Sequence, residues 1–543
     1  MSSLLRSSVV NATGQELRLL EKEAERLVDE AGISSHVEAL LVKMHRRGGR
    51  PRELPVKALF VALQLMAFSG RYYLNDVAKV FNGLSRPTRV RLGIIRAGGQ
   101  RITNRQVQYL TDRIDAALRR DFEATSKRDE SRYENFDAVF SAIAQAGAHP
   151  DAAKSSSVAV DASDIRSWGT SRNVYCPVVN TATGEESYAK ARRTTDPDAA
   201  WRGATNHEYK KPVFGYEVTV AVSVRDEPGN EVPRAALAAR FRPINVNGRE
   251  AALACIGEVA KNRGHLGDVL IDREYTQSKH GEDFLNPVRV LGGEPVFDLK
   301  QNQVGPSGVV RGAIIIDGQP FSPSMPKVMK KLMPPSSKGT DVYKPSPEAL
   351  AEYQAKVKAR SMYALVPNET RRRPNGTMVF QCPGAAGKLD CPLRPPVRAT
   401  RLHLLPAANP PTRAAVDTVC ASRFRSFEMT DLPLYQRHLY GSKEWFHSYA
   451  RRGSSIEPHF GALKDESAEG LRRGKFRVRG IVKTGLMVAF ALASTNRRLA
   501  LAWDRRPPVV AKTKRPKRRP RRQAWTSLQL LTTSTSANLV LRT

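Results

Sequence analysis

An α/β chain, led by an all-helical segment and broken by an insertion, is what these 543 residues predict. Three observations carry the prediction. Up to about residue 125, apolar residues recur every three or four positions, the signature of helices with one buried face. From about 155, short apolar blocks and turn residues replace that period, the signature of strands. After about 440 the helical period returns, while 301–435 shows neither and is rich in Pro, Gly, Lys and Arg.

The elements follow in order. Gly14 to Ala31 places Leu17, Leu20, Ala24, Leu27 and Val28 on one face and predicts an amphipathic helix. Leu54 to Phe68 is more apolar and predicts the buried centre of the helical segment. Leu74 to Phe81 predicts a short helix. Gly83-Leu84-Ser85 predicts a turn, with Ser85 as N-cap and Pro87 just inside the next helix. That helix carries Arg86, Arg89, Arg91 and Arg96. The pattern is either a helix-turn-helix, whose second helix enters a DNA major groove, or an ordinary hairpin with basic outer faces. Thr103 to Arg120 predicts a further helix, and the polar stretch from Ser126 begins a boundary.

Ser157 to Asp161, Phe214 to Val224 and Ala235 to Pro243 predict an antiparallel meander. Arg249 to Arg263 predicts a helix, and Gly267 to Asp272 and Pro295 to Lys300 two more strands. Strands and helices in that order form layered α/β structure. Asp161 is expected to end the first strand and Asp272 the fourth. If those strands are parallel neighbours, the two carboxylates meet at one sheet end. Residues 301–435 read as an insertion with one helix, Glu348 to Arg360, and Tyr449 to Leu499 as helical. The expected division is 1–125 helical, 126–154 linker, 155–300 first part of the α/β domain, 301–435 insertion, 436–504 its C-terminal helices and 505–543 a basic tail.

Composition bears on the partner. Lys and Arg number 87 against 53 Asp and Glu, a formal charge of +34. An excess spread over an otherwise globular chain points to a polyanion, foremost nucleic acid. Arg505 to Arg522 holds ten basic residues, several prolines and no acid. Such a run cannot fold alone; it either tracks phosphates or merely solubilises. Residues 1–11 have one Arg and no apolar core, so no secretory leader is expected. Ile481 to Ala493 is too short an apolar run to span a bilayer and contains Lys483. Five cysteines do not make a disulfide scaffold in a chain this long, and a reducing cytoplasm is expected.

Three acidic motifs carry chemistry. Val158-Ala159-Val160-Asp161 and Val269-Leu270-Ile271-Asp272 are apolar strands followed by aspartate. Ile456-Glu457-Pro458-His459 sets a glutamate near the start of a helical pattern. Hard divalent ions prefer carboxylate oxygens, and two such ions about 4 Å apart can hold the attacking and leaving oxygens of a phosphoryl transfer. Lys464 follows Glu457 by seven residues, on the same helix face, within reach of a phosphate. Each motif alone is a common strand-end or helix carboxylate, and Asp164 is taken as structural or supporting.

With these motifs the chain resembles the DDE-class transposases of bacterial insertion sequences, whose catalytic domain is a ribonuclease-H-like mixed sheet with flanking helices. Asp161 follows an apolar strand as the family's first Asp does, and Asp272-Arg273-Glu274-Tyr275 is similar to its second motif. Tyr449, Arg452, Glu457 and Lys464 resemble its Tyr…Arg…Glu…Lys signature. Arg472 to Phe476 and Ala493…Asn496-Arg497-Arg498 resemble its C-terminal region. One more residue separates Arg452 from Glu457 than the family pattern has; the adjacent Arg451 is a rival for the arginine, and Glu274 stands where a small residue is common.

The resemblance implies that Asp161, Asp272 and Glu457 hold two Mg²⁺ (or Mn²⁺) ions and catalyse DNA cleavage and strand transfer. It implies that Tyr449, Arg452 and Lys464 touch DNA, with Arg86, Arg89 and Arg91 doing so from the N-terminal helices; Tyr275 either does likewise or packs beside the sheet. The partners it implies are double-stranded DNA, as terminal repeats and target, and a second copy of the chain in a homodimer on DNA. The setting is the nucleoid of a bacterial cytoplasm, with no membrane. The alternatives are a nuclease of the same fold without strand transfer, or a catalytically silent DNA-binding protein. Separately, Cys382, Cys391, Cys420 and His403 are of zinc-ligand type, though without a CxxC pair; they are either a zinc site or buried thiols.

Overall fold

The N-terminal helices form where the apolar period runs. In the computed structural model, which describes residues 14–44, 54–94, 101–119, 126, 128–179, 186–203, 212–276, 283–335, 346–368, 370, 377–393, 405–406, 419–471 and 474–506, α1 spans Gly14–Ala31 and buries Leu20, Ala24, Leu27 and Val28. After α2 (Ser34–Lys43) comes α3 (Val56–Phe68), buried on nearly every side. Helices α4 (Leu74–Gly83) and α5 (Arg86–Arg91) follow. The next helix, α6 (Asn104–Leu118), is opened by a capping box between Thr103 and Gln106, which satisfies backbone donors at the helix start. Where a linker is expected at 126–154, the chain instead forms α7 (Glu134–Gln145), with Phe136, Val139, Phe140 and Ile143 buried. Polar residues mislead there because they are partners of a buried cation: the Arg242 guanidinium reaches Glu130 at 2.6 Å and Asp137 at 2.6 Å.

The sheet strands are β1 (Val158–Arg166), β2 (Ser171–Val179), β3 (Glu186–Thr194), β4 (Ala200–Arg202), β5 (Val213–Ser223) and β6 (Ala236–Pro243). Then come α8 (Gly248–Arg263), β7 (Asp268–Leu270), α9 (Leu285–Val290) and β8 (Glu294–Val296). The fold is mixed α/β. Its six-stranded sheet has the order β4-β5-β1-β7-β8, with β6 also paired to β5. Strand β5 is antiparallel to β4 and β6, whereas β7 is parallel to both β1 and β8. The antiparallel β5–β6 pair is as expected, and β1 and β7 meet the condition of being parallel neighbours. The β2–β3 ribbon, a two-stranded sheet of its own, and β4 occupy a region where the sequence predicts no strand.

The described part of 301–435, expected to be an insertion, forms small sheets: β9 (Pro306–Val310), β10 (Ala313–Ile316) and β11 (Gln319–Phe321) pair in one. Helix α10 (Pro347–Ser361) covers the helix expected there. Strands β12 (Val366–Pro367), β13 (Met378–Gln381), β14 (Leu389–Asp390), β15 (Leu405–Pro406) and β16 (Phe424–Phe427) complete it, β13 joining β12 to β16 and β14 pairing with β15. Phe380, Phe427, Leu432 and Tyr435 make one apolar cluster, and Ile316, Phe321, Met325 and Tyr363 another. The last helices among the described residues are α11 (Lys443–Leu463) and α12 (Ile481–Asp504), not one helical stretch. Glycines with positive φ at Gly470, Gly474 and Gly480 separate them.

The chain divides into two compact units. One holds Met1–Ser155, Val160–Val259 and Ser455–Thr543; the other holds Ser156–Ala159 and Ala260–Ser454. In the first, α12 is the central helix: Phe490 meets Phe60 of α3 at 5.6 Å. Asn496 accepts from the Ala236 N–H at 2.8 Å and donates to the Ala144 carbonyl at 3.0 Å, joining β6 to α7. No helix among the described residues is long and apolar enough to cross a membrane.

Candidate active site

In the second unit, Val269↔Pro295 and Leu270↔Val296 are partners across β7 and β8. Asp272 and Asp298 each stand two residues beyond Leu270 and Val296, so the parallel register brings both to the same sheet end. Asp272 accepts the Arg273 N–H at 2.6 Å and faces the Arg452 guanidinium at 3.6 Å. Asp298 accepts the Tyr440 hydroxyl at 2.8 Å. Burial raises the Asp298 carboxyl above its ordinary value, and Asp272 adds to the rise, against the pull of Tyr440 and Arg273. Asp298 is absent from the residues that the sequence singles out; its signal is a third apolar strand followed by aspartate, Pro295-Val296-Phe297-Asp298.

The two rival arginines, both buried, have different partners. Arg451 is spent on Asp268: the pair is buried, and Ser448 donates to the same carboxylate at 3.0 Å. Removing one partner of such a pair costs about 3–5 kcal/mol. Arg452, one position on, is the arginine beside Asp272. Tyr449 is half-buried, stacked on Trp445 with ring centroids 5.2 Å apart. Burial holds its hydroxyl well above the usual range. Tyr275 packs its ring on Phe284 at 4.8 Å, the packing alternative.

The first unit holds Asp161 and Glu457. Asp161 does not end β1: the strand continues to Arg166, and beyond it the Ser167 N–H donates to the Phe214 carbonyl at 3.0 Å. The apolar run stops where burial eases, but backbone groups must still be paired. Asp161 is half-buried and accepts the N–H of Ala162 at 2.9 Å. Glu457 is exposed and lies in the second half of α11, not near its start, because the helix begins at Lys443 and accommodates Pro458. A glutamate so placed gains nothing from the positive end of the helix dipole.

Near Asp161 lie Asp164, ion-paired with Arg202, and Lys464. Burial raises the Asp164 carboxyl, opposed by Arg202 and Lys464. Lys464 keeps much of its surface exposed, yet desolvation still lowers its ammonium below the ordinary value, while Asp164 and Asp161 pull it back up. Next to Glu457, His459 is fully buried and its pKa falls to about 3, by desolvation first and then by Arg234 and Arg498.

The expected helix-turn-helix region contains a six-residue α5. Ser85 stands at its N-cap but caps nothing with its side chain; its hydroxyl and N–H go instead to the buried Glu21 at 2.5 and 2.7 Å. A buried carboxylate needs donors more than a short exposed helix needs a cap. Arg86 is exposed, Arg89 half-buried, and Arg91 pairs with Glu25 at 3.0 Å. Arg96 lies outside the described residues.

Of the cysteines, Cys420 sits in the apolar cluster with Phe380 and Phe427. Cys382 and Cys391 are buried beside Gly384, whose added Cβ would meet them at 3.9 and 2.9 Å. His403 lies outside the described residues. Among the described residues, no three His, Cys, Asp or Glu side chains stand together as a metal-binding group. Comparison with protein-family models finds none that matches the chain, and no curated protein is significantly similar.

Proposed function

We propose that the chain is a transposase, cutting DNA at the ends of a mobile element and joining them to a target through Asp161, Asp272 and Glu457 of a ribonuclease-H-like domain. The observation that supports this most is the parallel pairing of β1 with β7. Asp161 and Asp272 each lie two positions beyond the last residues paired between these two strands, Ala159 and Leu270. Two strands that run the same way and carry aspartate at the same level are what a shared carboxylate site requires.

The donors suit a hard divalent ion: all are carboxylate oxygens, half-buried at Asp161 and Asp272 and exposed at Glu457. A pair of Mg²⁺ or Mn²⁺ ions, when bound, supplies positive charge to both the attacking and the leaving oxygen. The other steps belong to the protein. Arg452 orients Asp272 and offers charge to a phosphate. Lys464, just past the end of α11, offers charge likewise beside Asp161. Tyr449, fixed on Trp445, presents its hydroxyl as a donor. The helices carrying Arg86, Arg89 and Arg91 would bind terminal-repeat DNA, and a homodimer on double-stranded DNA would hold two ends at once.

The test is Asp161→Asn. It should abolish Mg²⁺-dependent strand cleavage and leave duplex affinity equal or slightly higher, since removing a negative charge cannot weaken the attraction to phosphates. Cleavage retained at the wild-type rate would show that Asp161 holds no ion. A strand-transfer assay separates a transposase from a nuclease that only cuts.

A further inference from the structure

We propose that the first unit carries a separate duplex-DNA contact surface, made by Trp168, Arg477 and Arg479 and by Arg172 and Arg193 at the root of the β2–β3 ribbon; the inference rests on the transposase reading for its choice of polyanion.

The root is built around one buried carboxylate. Asp196 is fully buried and accepts the Ser167 hydroxyl at 2.5 Å, the Tyr216 hydroxyl at 2.7 Å and the Gly480 N–H at 3.1 Å. Those bonds join four segments: the β1–β2 turn, the chain leaving β3, β5, and the start of α12. The Thr195 N–H also donates to the Thr170 carbonyl at 2.9 Å across the ribbon's base. Side chains beside these bonds are therefore held in fixed relation.

What they present is basic and aromatic. Trp168, in the turn, remains 38% exposed. The Arg477 guanidinium lies 5.4 Å from the Trp168 ring centroid and 5.0 Å from that of Tyr73. Rings on its faces hold a guanidinium flat while its edge donors stay available for a bidentate phosphate contact. Arg479, exposed, immediately precedes Gly480. Arg172 and Arg193 are both exposed and are direct cross-strand partners. Like charges opposite one another destabilise a strand pair, and a phosphate between them reverses the sign of that term. The ribbon has no third strand among the described residues, and a two-stranded ribbon is of a width that a DNA major groove admits. Charge complementarity thus commits the surface to a polyanion, which on the transposase reading is duplex DNA.

The experiment is a pair of salt titrations of the full-length chain on a random-sequence duplex. The variants are Arg172→Ala with Arg193→Ala, and separately Arg477→Ala, with Arg477→Lys keeping the charge but not the flat fork. Duplex affinity should fall in both alanine variants. The slope of log affinity against log salt should flatten by about 0.9 for each phosphate no longer neutralised. Arg477→Lys should fall between wild type and Arg477→Ala. Thermal unfolding should stay at the wild-type midpoint, because these side chains are exposed. Wild-type slope and affinity in the ribbon and Arg477 variants, alongside Asp161-dependent cleavage, would overturn this surface and leave the transposase reading standing. A wild-type chain that neither binds nor cuts duplex would overturn both.

Discussion

His459 shows how a single residue converts burial into pH dependence. It follows Glu457 by two positions, yet its ring is fully buried and neither ring nitrogen has a hydrogen-bond partner among the described residues. Its pKa is about 3, against 6.5 for an ordinary histidine. The unfolded chain therefore binds this proton more readily than the folded one, and stability is lost as pH falls below about 6.5. Above that value the residue is neutral in both states and contributes no slope. Within the window the loss is about 1.4 kcal/mol per pH unit. His459→Phe has no proton to bind. Its stability should decline less than wild type's between pH 7 and pH 5, by about 2 kcal/mol in urea unfolding. Identical pH dependence in both proteins would show that His459 is not buried as described.

At the scale of elements, two glycines in the last two helices should respond oppositely to the same substitution. Gly485 of α12 lies against α7: a Cβ there would come within 2.5 Å of the Phe136 ring and 3.2 Å of Phe241. Gly461 of α11 is exposed, and an added Cβ meets nothing within 4 Å. Alanine improves helix propensity by about 1 kcal/mol at either site. At Gly485 overpacking costs typically about 1–3 kcal/mol and dominates. Gly485→Ala should lower the thermal midpoint and Gly461→Ala should raise it. A rise at Gly485 would mean that α7 and α12 are not in van der Waals contact there.

For the whole molecule, the +34 charge is the governing quantity. The basic tail lies outside the described residues beyond Arg506, whose guanidinium covers Trp503 at 4.3 Å just after α12 ends. Deleting 507–543 should weaken binding to all duplexes alike and spare discrimination among sequences, because phosphate contacts carry no base information. Salt titrations on specific and random duplexes measure this, with the slope flattening by about 0.9 for each phosphate the tail had neutralised. Loss of preference for the specific duplex, with random binding unchanged, would show that the tail reads sequence.

Sequence alone determined the elements whose pattern is local. The bounds of α1 follow from apolar spacing, and the position of Asp272 from an apolar block that ends. Local period is a property of neighbouring residues, so it survives without knowledge of the fold. Tertiary structure decided everything that depends on partners distant along the chain. It carried β1 past Asp161 to pair elsewhere and set Asp298 beside Asp272 through strand register. It took Ser85 from its cap to Glu21, and spent Arg451 on Asp268 while leaving Arg452 at Asp272. Two adjacent arginines differ in role because a helix turns about 100° per residue, and only the packed structure says which face holds a buried carboxylate.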